Sequence, residues 1–276
     1  MIEKFEYSIS TIRNLFHPFK YLEEDNSRLK YISTSSSMVE PGSLFVPLKG
    51  NRDGHEFIQD ALGKGAISFL CEFNHPVLNS LPIEQQKKAI LVDDTLLALG
   101  TLAEYHRKRF NPFVIGITGS SGKTTTKEFY KSCLNYFAED LVFTEKNYNN
   151  EIGVPFTLFK ISDNTRIVIC EMGMNHRYEI SRLTKMVKPN ISVITNVGPA
   201  HIENLGSIKE IARAKAEILE SMSKGSNLYI PENIEQIRII RKKAKKYKVN
   251  VNTYSIENSK ELKILEESNA GYLIEI

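Results

Sequence analysis

The chain has 276 residues, enough for two domains with a proper core. Its composition, 41% hydrophobic and 25% charged, is that of a soluble globular protein, and a net charge of +3 is too small for a dedicated nucleic-acid binder. Cys71, Cys133 and Cys170 are odd in number and widely spaced, so no disulfide or zinc framework follows and a reducing compartment fits. Charges break every apolar run in the first twenty residues, which excludes a signal peptide or a membrane span there, and no later run approaches spanning length. The expectation is a cytoplasmic, monomeric protein.

The first third reads as a small α/β unit. GSLFVPLKG (Gly42 to Gly50) is a short apolar strand between turn signals, and HEFIQDALGKGA (His55 to Ala66) has helical spacing and ends in glycines. ISFLCE and AILVDD are further short strands, separated by a polar, proline-bearing segment, 74–88, that reads as loop. From about Thr95 the pattern changes. TLLALGTLAEYHRKRF is a helix closed by Pro112, and FVIGIT (Phe113 to Thr118) is the fully apolar strand of a parallel sheet. RIVICE (Arg166 to Glu171), a helix around EISRLTKMV, ISVITNV (Ile191 to Val197), a helix around SIKEIARAKAEILESM, and SNLYIPEN follow in regular alternation. That alternation implies βαβ units. RIIRKKAKKYK (Arg238 to Lys248) reads as an amphipathic helix with a solvated basic face. The domains expected are 1–94 and 95–276. In such sheets ligands bind at the carboxyl ends of the strands, so Thr118 to Thr125, Glu171 and Asn196 to His201 matter most.

GITGSSGKTTTKE (Gly116 to Glu128) joins that apolar strand to a helix. A glycine-rich turn of this kind points backbone N–H groups and the positive end of a helix dipole at one spot. Gly119 and Gly122 let the backbone approach a phosphate, Lys123 reaches the terminal phosphates, and the Thr124 hydroxyl suits Mg²⁺. The strict G-x-x-x-x-G-K-[ST] pattern would place glycine at position 117, which is Ile117. Glu171, at the end of an apolar strand, puts a carboxylate where a magnesium ion would sit. His201 read alone is more often structural than a ligand, and Lys215 alone is an ordinary helix lysine.

TGSSGKTTT resembles the phosphate-binding loop of the Mur ligases, the ATP-dependent amide-bond ligases of peptidoglycan synthesis, a loop also found in their relatives the folylpolyglutamate synthases. NYNNEIGVPFTL, EMGMNHRYEISRL, TNVGPAHIENLGS and IARAKAEI stand in the family's order. They look most like the branch that adds D-alanyl-D-alanine to UDP-MurNAc-tripeptide. PGSLFVPLKGNRDGHEFIQDALGKGA is similar to the UDP-substrate domain of that branch and its diamino-acid-adding neighbour. The resemblance implies ATP and Mg²⁺ as cofactors, no nucleic-acid partner, and an acyl phosphate attacked by the amine of D-alanyl-D-alanine. It makes Gly119, Ser120, Ser121, Gly122, Lys123, Thr124 and Thr125 nucleotide-binding, with Asn233 nearest the base. Thr124, Glu171, His201 and a carbamylated Lys215 become metal ligands. Lys123, Lys215 and His201 become catalytic, and Ser36, Asn147 and Asn150 bind substrate.

Three departures stand out. Ser35, Ser36 and Ser37 occupy the place of the family's Asp-Ser-Arg, and IPEN replaces an Asn-x-Asp-type segment. The sequence ends in NAGYLIEI, where the family's central domain continues and a third, closing domain follows. The expectation is therefore a small UDP-substrate domain and a P-loop domain, incomplete at its C-terminus and inactive in that form. A short nucleotide-binding paralogue, or an amide ligase with another acceptor, are the alternatives.

Overall fold

The structure, a computed structural model, describes residues 1–17, 25–135, 140–255, 263–268 and 271–275. The chain forms two compact units, one of residues 1–111 and 151–164, the other of residues 112–150 and 165–276. The boundary thus lies at 111/112 rather than 94/95, and a short segment returns to the first unit.

The first unit is built on a five-stranded sheet in the order β1 (Ile2–Ser8), β2 (Arg28–Ser33), β3 (Ser43–Phe45), β4 (Ala66–Glu72) and β5 (Ala89–Val92). Only β1 runs antiparallel to its neighbour. Phe45, Phe69, Cys71, Ile58 and Ala61 form its buried core. Burial pushes the Cys71 thiol up to about 11, so it behaves as a small apolar side chain. The helix Thr95–Phe110 is capped by Asp94, whose carboxylate accepts from the Leu97 N–H at 2.8 Å, and it stops where Asn111 turns left-handed before Pro112. It packs against the wholly buried helix Gly153–Phe159. The segment expected as loop, 74–88, instead holds the short helices Pro76–Ser80 and Ile83–Gln86. Pro76 starts one and Pro82 caps the other, positions where a missing N–H costs nothing.

The second unit is an all-parallel six-stranded sheet in the order β11 (Asn250–Tyr254), β10 (Asn227–Pro231), β9 (Ile191–Ile194), β6 (Phe113–Thr118), β8 (Ile167–Glu171) and β7 (Leu141–Phe143). Val114, Ile115 and Ile117 are buried, as a central strand covered on both faces requires. The helix Lys123–Asn135 lies over β6, β7 and β8, with Tyr130 and Leu134 against Ile115, Ile117 and Ile169. From β6 the chain goes to the edge strand β7 and back to β8 on one side, then builds outward on the other through β9, β10 and β11. The carboxyl ends of β6, β8 and β9 therefore meet at the switch in strand order, where open α/β sheets bind ligands. The basic segment is the helix Ile237–Tyr247, anchored by buried Ile240 and Ala244. A final antiparallel pair joins β12 (Lys263–Ser268) and β13 (Gly271–Glu275).

Candidate nucleotide and metal site

The loop 119–122 runs from the end of β6 into the first turn of the helix Lys123–Asn135. That first turn leaves N–H groups without helical partners. Gly122 has φ +76°, a left-handed turn that glycine adopts without cost. Gly119 is required for a second reason: a Cβ there would fall 1.8 Å from Thr195 Oγ1. Thr195 presses this close because its hydroxyl donates to the Ser121 carbonyl at 2.5 Å. The rest of the loop after β9 completes the clasp. Asn196 Oδ1 accepts from the Ser121 N–H at 2.8 Å, and its Nδ2 donates to Ser121 Oγ at 2.6 Å. Ser120 Oγ donates to the Gly198 carbonyl at 3.0 Å and accepts from the Gly198 N–H at 2.9 Å. Ser120 and Ser121 thus spend their side chains holding the loop's shape.

Lys123 Nζ donates to the Gly119 carbonyl at 2.9 Å, curling back over the loop. Burial lowers its pKa, and the Glu171 carboxylate opposes that shift. Thr124 Oγ1 donates to Glu171 Oε2 at 2.9 Å, and Asn149 Nδ2 donates to Glu171 Oε1 at 2.8 Å. Glu171 is 1% exposed, and its N–H is held by Thr144 Oγ1 at 3.0 Å. Buried Lys127 supports Thr144 in turn, donating to its carbonyl at 2.8 Å. The result is a hydroxyl and a buried carboxylate side by side beneath a phosphate-type loop. An all-oxygen set of this kind suits Mg²⁺ and offers nothing to a soft metal.

Lys215 ends the helix Ile208–Lys215 and is 2% exposed. Burial, and then the positive charge of Lys123, push its amine down to about 7. No carboxylate pairs with it among the described residues. Two residues on, Glu217 is also buried, and it accepts from the Tyr178 and Ser181 N–H groups at 3.0 and 3.1 Å. Burial raises its pKa against those two donors.

The structure therefore brings Gly119 to Thr124, Glu171 and Lys215 into one neighbourhood, with Thr125 exposed on the same helical turn. His201 caps the short helix Ile202–Leu205, with φ +62°, and makes no side-chain hydrogen bond among the described residues. Asn233 is exposed in the turn after β10, and Asn147 and Asn150 are exposed between β7 and the helix Gly153–Phe159. Ser36 belongs to the first unit, where it begins a single 3₁₀ turn. The sequence reading placed Asn196 among the positions that matter most, but gave no role to Asn149 or Thr195. ISVITNV was read as strand to Val197, but β9 ends at Ile194, which frees Thr195 to cross to the loop.

Strand order, loop and carboxylate together define an α/β unit with a P-loop at the switch in its strand order. A sequence profile described as the Mur ligase middle domain matches residues 117–276, and the chain belongs to the Mur ligase family. It is 35% identical over 246 residues to the UDP-N-acetylmuramoyl-tripeptide–D-alanyl-D-alanine ligase of Haemophilus influenzae, covering 87% of this chain and 52% of that one. The enzyme of the same name from Rickettsia prowazekii is 42% identical over 194 residues, covering 70% and 41%. The chain thus spans about half the length of the curated relatives it matches. A crystal structure of MurF from Acinetobacter baumannii superposes with a TM-score of 0.81 at 27% identity, over 99% of this chain and 60% of that one. MurF from Thermotoga maritima in complex with ADP gives 0.73 at 28% identity, over 85% and 52%. The expected fold is borne out by these matches.

Proposed function

We propose that this chain carries the ATP site, and in its first unit the UDP-substrate site, of a ligase that joins D-alanyl-D-alanine to UDP-MurNAc-tripeptide in the cytoplasm. The observation that carries the ATP half is the Thr124–Glu171 pair beneath the clasped loop. The acceptor is argued from the names of the relatives.

In this reading the N–H groups at the start of the helix Lys123–Asn135 cradle the phosphates. Lys123 exchanges the Gly119 carbonyl for a terminal phosphate oxygen, which neutralises charge on the transferring group. Thr124 and Glu171 would hold Mg²⁺, which supplies further charge neutralisation. The tripeptide carboxylate attacks the γ-phosphorus and ADP leaves. The dipeptide amine then attacks the acyl carbon of the acyl phosphate, and inorganic phosphate leaves. Most of the rate gain is positioning and charge compensation. Ser36, Asn147 and Asn150 are assigned to the substrate, Thr125 and Asn233 to the nucleotide, and His201 to a second metal ion.

Lys215 fits carbamylation. That reaction joins the neutral amine to CO₂, releases a proton and leaves a carboxylate-like ligand. Burial and Lys123 lower the amine's pKa to about 7, and a carbamate would set a negative charge where Lys123 now faces a second amine. Incubation with ¹³C-bicarbonate should give a carbamate NMR signal that is absent in Lys215→Met.

Calorimetric titration with Mg·ATP tests the central reading. Lys123→Ala should weaken binding by about 10-fold or more, the scale of one lost charge-assisted contact. Unchanged affinity would remove ATP from the site.

A further inference from the structure

We infer that Asn149 is a specificity-determining residue for the metal ion: it selects Mg²⁺ over Ca²⁺ by leaving Glu171 only one oxygen to offer. The inference rests on the reading that a divalent ion binds between Thr124 and Glu171.

The two carboxylate oxygens of Glu171 are not equivalent. Oε2 faces the Thr124 hydroxyl at 2.9 Å, and Oε1 takes the Asn149 amide at 2.8 Å. A carboxylate only accepts, so it is the NH₂ of Asn149 that faces it. When Thr124 turns its oxygen lone pair to an ion, its O–H no longer donates to Oε2. Asn149 is then the side chain still holding the carboxylate, and it holds the oxygen farther from the ion.

Asn149 is itself fixed. Its N–H donates to the Asn147 carbonyl at 2.8 Å, and its carbonyl accepts from the Gly173 N–H at 2.8 Å. Gly173 supplies the room: a Cβ there would lie 2.8 Å from Asn149 Oδ1. Glu171 is 1% exposed and its Oε1 is held by Asn149, so the carboxylate has little freedom to rotate toward an ion with both oxygens.

One-oxygen ligation discriminates by ion size. Mg²⁺ demands near-octahedral geometry at about 2.0–2.1 Å, which a two-oxygen carboxylate bite distorts. Ca²⁺ takes about 6–8 oxygens at roughly 2.3–2.6 Å and gains from that bite. Removing the Asn149 donor frees Oε1 and should favour the larger ion.

The test measures the affinity of the 276-residue protein for ATP in excess Mg²⁺, in excess Ca²⁺ and without metal, by calorimetry. The variants are Asn149→Ala and Gly173→Ala, the second displacing the Asn149 amide without altering Glu171 or Asn149. A thermal scan establishes that each is folded. The wild type should favour Mg·ATP over Ca·ATP. Both variants should narrow that preference by about 10-fold or more, the usual effect of losing a ligand's supporting hydrogen bond. Metal-free ATP affinity should stay unchanged, which a general loss of structure would not allow. If the preference is unchanged in either folded variant, or if all three affinities fall by one factor, the inference is overturned while the ATP site stands. If the wild type binds no ATP in any condition, the ATP reading falls and the inference with it.

Discussion

Lys215 holds an amine that is nearly dry and pairs with no acid among the described residues, while the charge that acts on it, Lys123, has the same sign. Its pKa falls from 10.5 in the unfolded chain to about 7 in the folded one. Between those values the unfolded state binds the extra proton, so stability rises with pH across that window. Below about 7 both states are protonated and the full cost of burying a cation is present. Lys215→Met should therefore stabilise the protein most at pH 6 and progressively less toward pH 10. Thermal unfolding reads this directly, at roughly 2–4 °C for each kcal/mol recovered. A stability difference independent of pH would show that the amine is not neutral near pH 7. Asp53 makes the opposite arrangement in the first unit. Burial alone would raise its carboxyl, but the His55 N–H and the rings of His55 and His75 hold it down at about 2. Those three side chains could pass for metal ligands. The other ring nitrogens, however, face donors: the Glu72 N–H at 3.4 Å from His55 Nε2, and the Val77 N–H at 3.3 Å from His75 Nδ1. A metal-bound histidine needs an acceptor at that position, so the cluster reads as a satisfied hydrogen-bond knot.

At the scale of elements, the phosphate loop is only half of its own structure, and the segment Thr195–Gly198 is the other half. Gly119→Ala should push Thr195 aside and break the hydrogen bond from its hydroxyl to the Ser121 carbonyl, weakening Mg·ATP binding by about 10-fold or more, as loss of a site's supporting contacts does. Thr195→Ala removes the hydroxyl that collides, so adding Gly119→Ala to it should cost markedly less than Gly119→Ala alone. A double-mutant cycle of ATP affinities measures this coupling, and additive effects would mean that the two residues do not touch. This partnership was invisible in the sequence because the two segments lie about seventy-five positions apart. The loop, by contrast, was legible to the residue: β6 is apolar on both faces, and Gly122-Lys123-Thr124 follows it directly. Glu171 was legible for the same reason, a lone charge closing an apolar strand. Asn149 was not. It stands beside Asn150 in a run of the same residue type, and only the turn through Asn147 and Tyr148 decides which amide faces inward. The strand β1 was passed over because Glu3, Lys4 and Glu6 interrupt it, although an edge strand tolerates charge on its open face.

Across the whole molecule the chain path matters more than sequence order. Residues 1–111 look like a natural first domain, yet the unit they build takes in residues 151–164. The reason is in the core. Phe159 is 2% exposed and meets Phe5 edge-on at 5.3 Å between ring centres. His106, also buried, donates from Nε2 to the Ile161 carbonyl at 2.9 Å and accepts from the Tyr7 hydroxyl through Nδ1 at 3.0 Å. Every residue of the helix Gly153–Phe159 is buried. A fragment ending at Asn111 would expose Phe5 and leave His106 Nε2 without its acceptor. Losing one buried aromatic side chain costs about 3–5 kcal/mol, comparable to the whole stability of a small domain. The fragment 1–111 should therefore lack a cooperative urea transition and dispersed amide NMR signals. Joining residues 151–164 to its end through a flexible Gly/Ser linker should restore both, since linker length adds little closure cost. A cooperative transition in fragment 1–111 alone would show that the returning helix only decorates a core that is already complete.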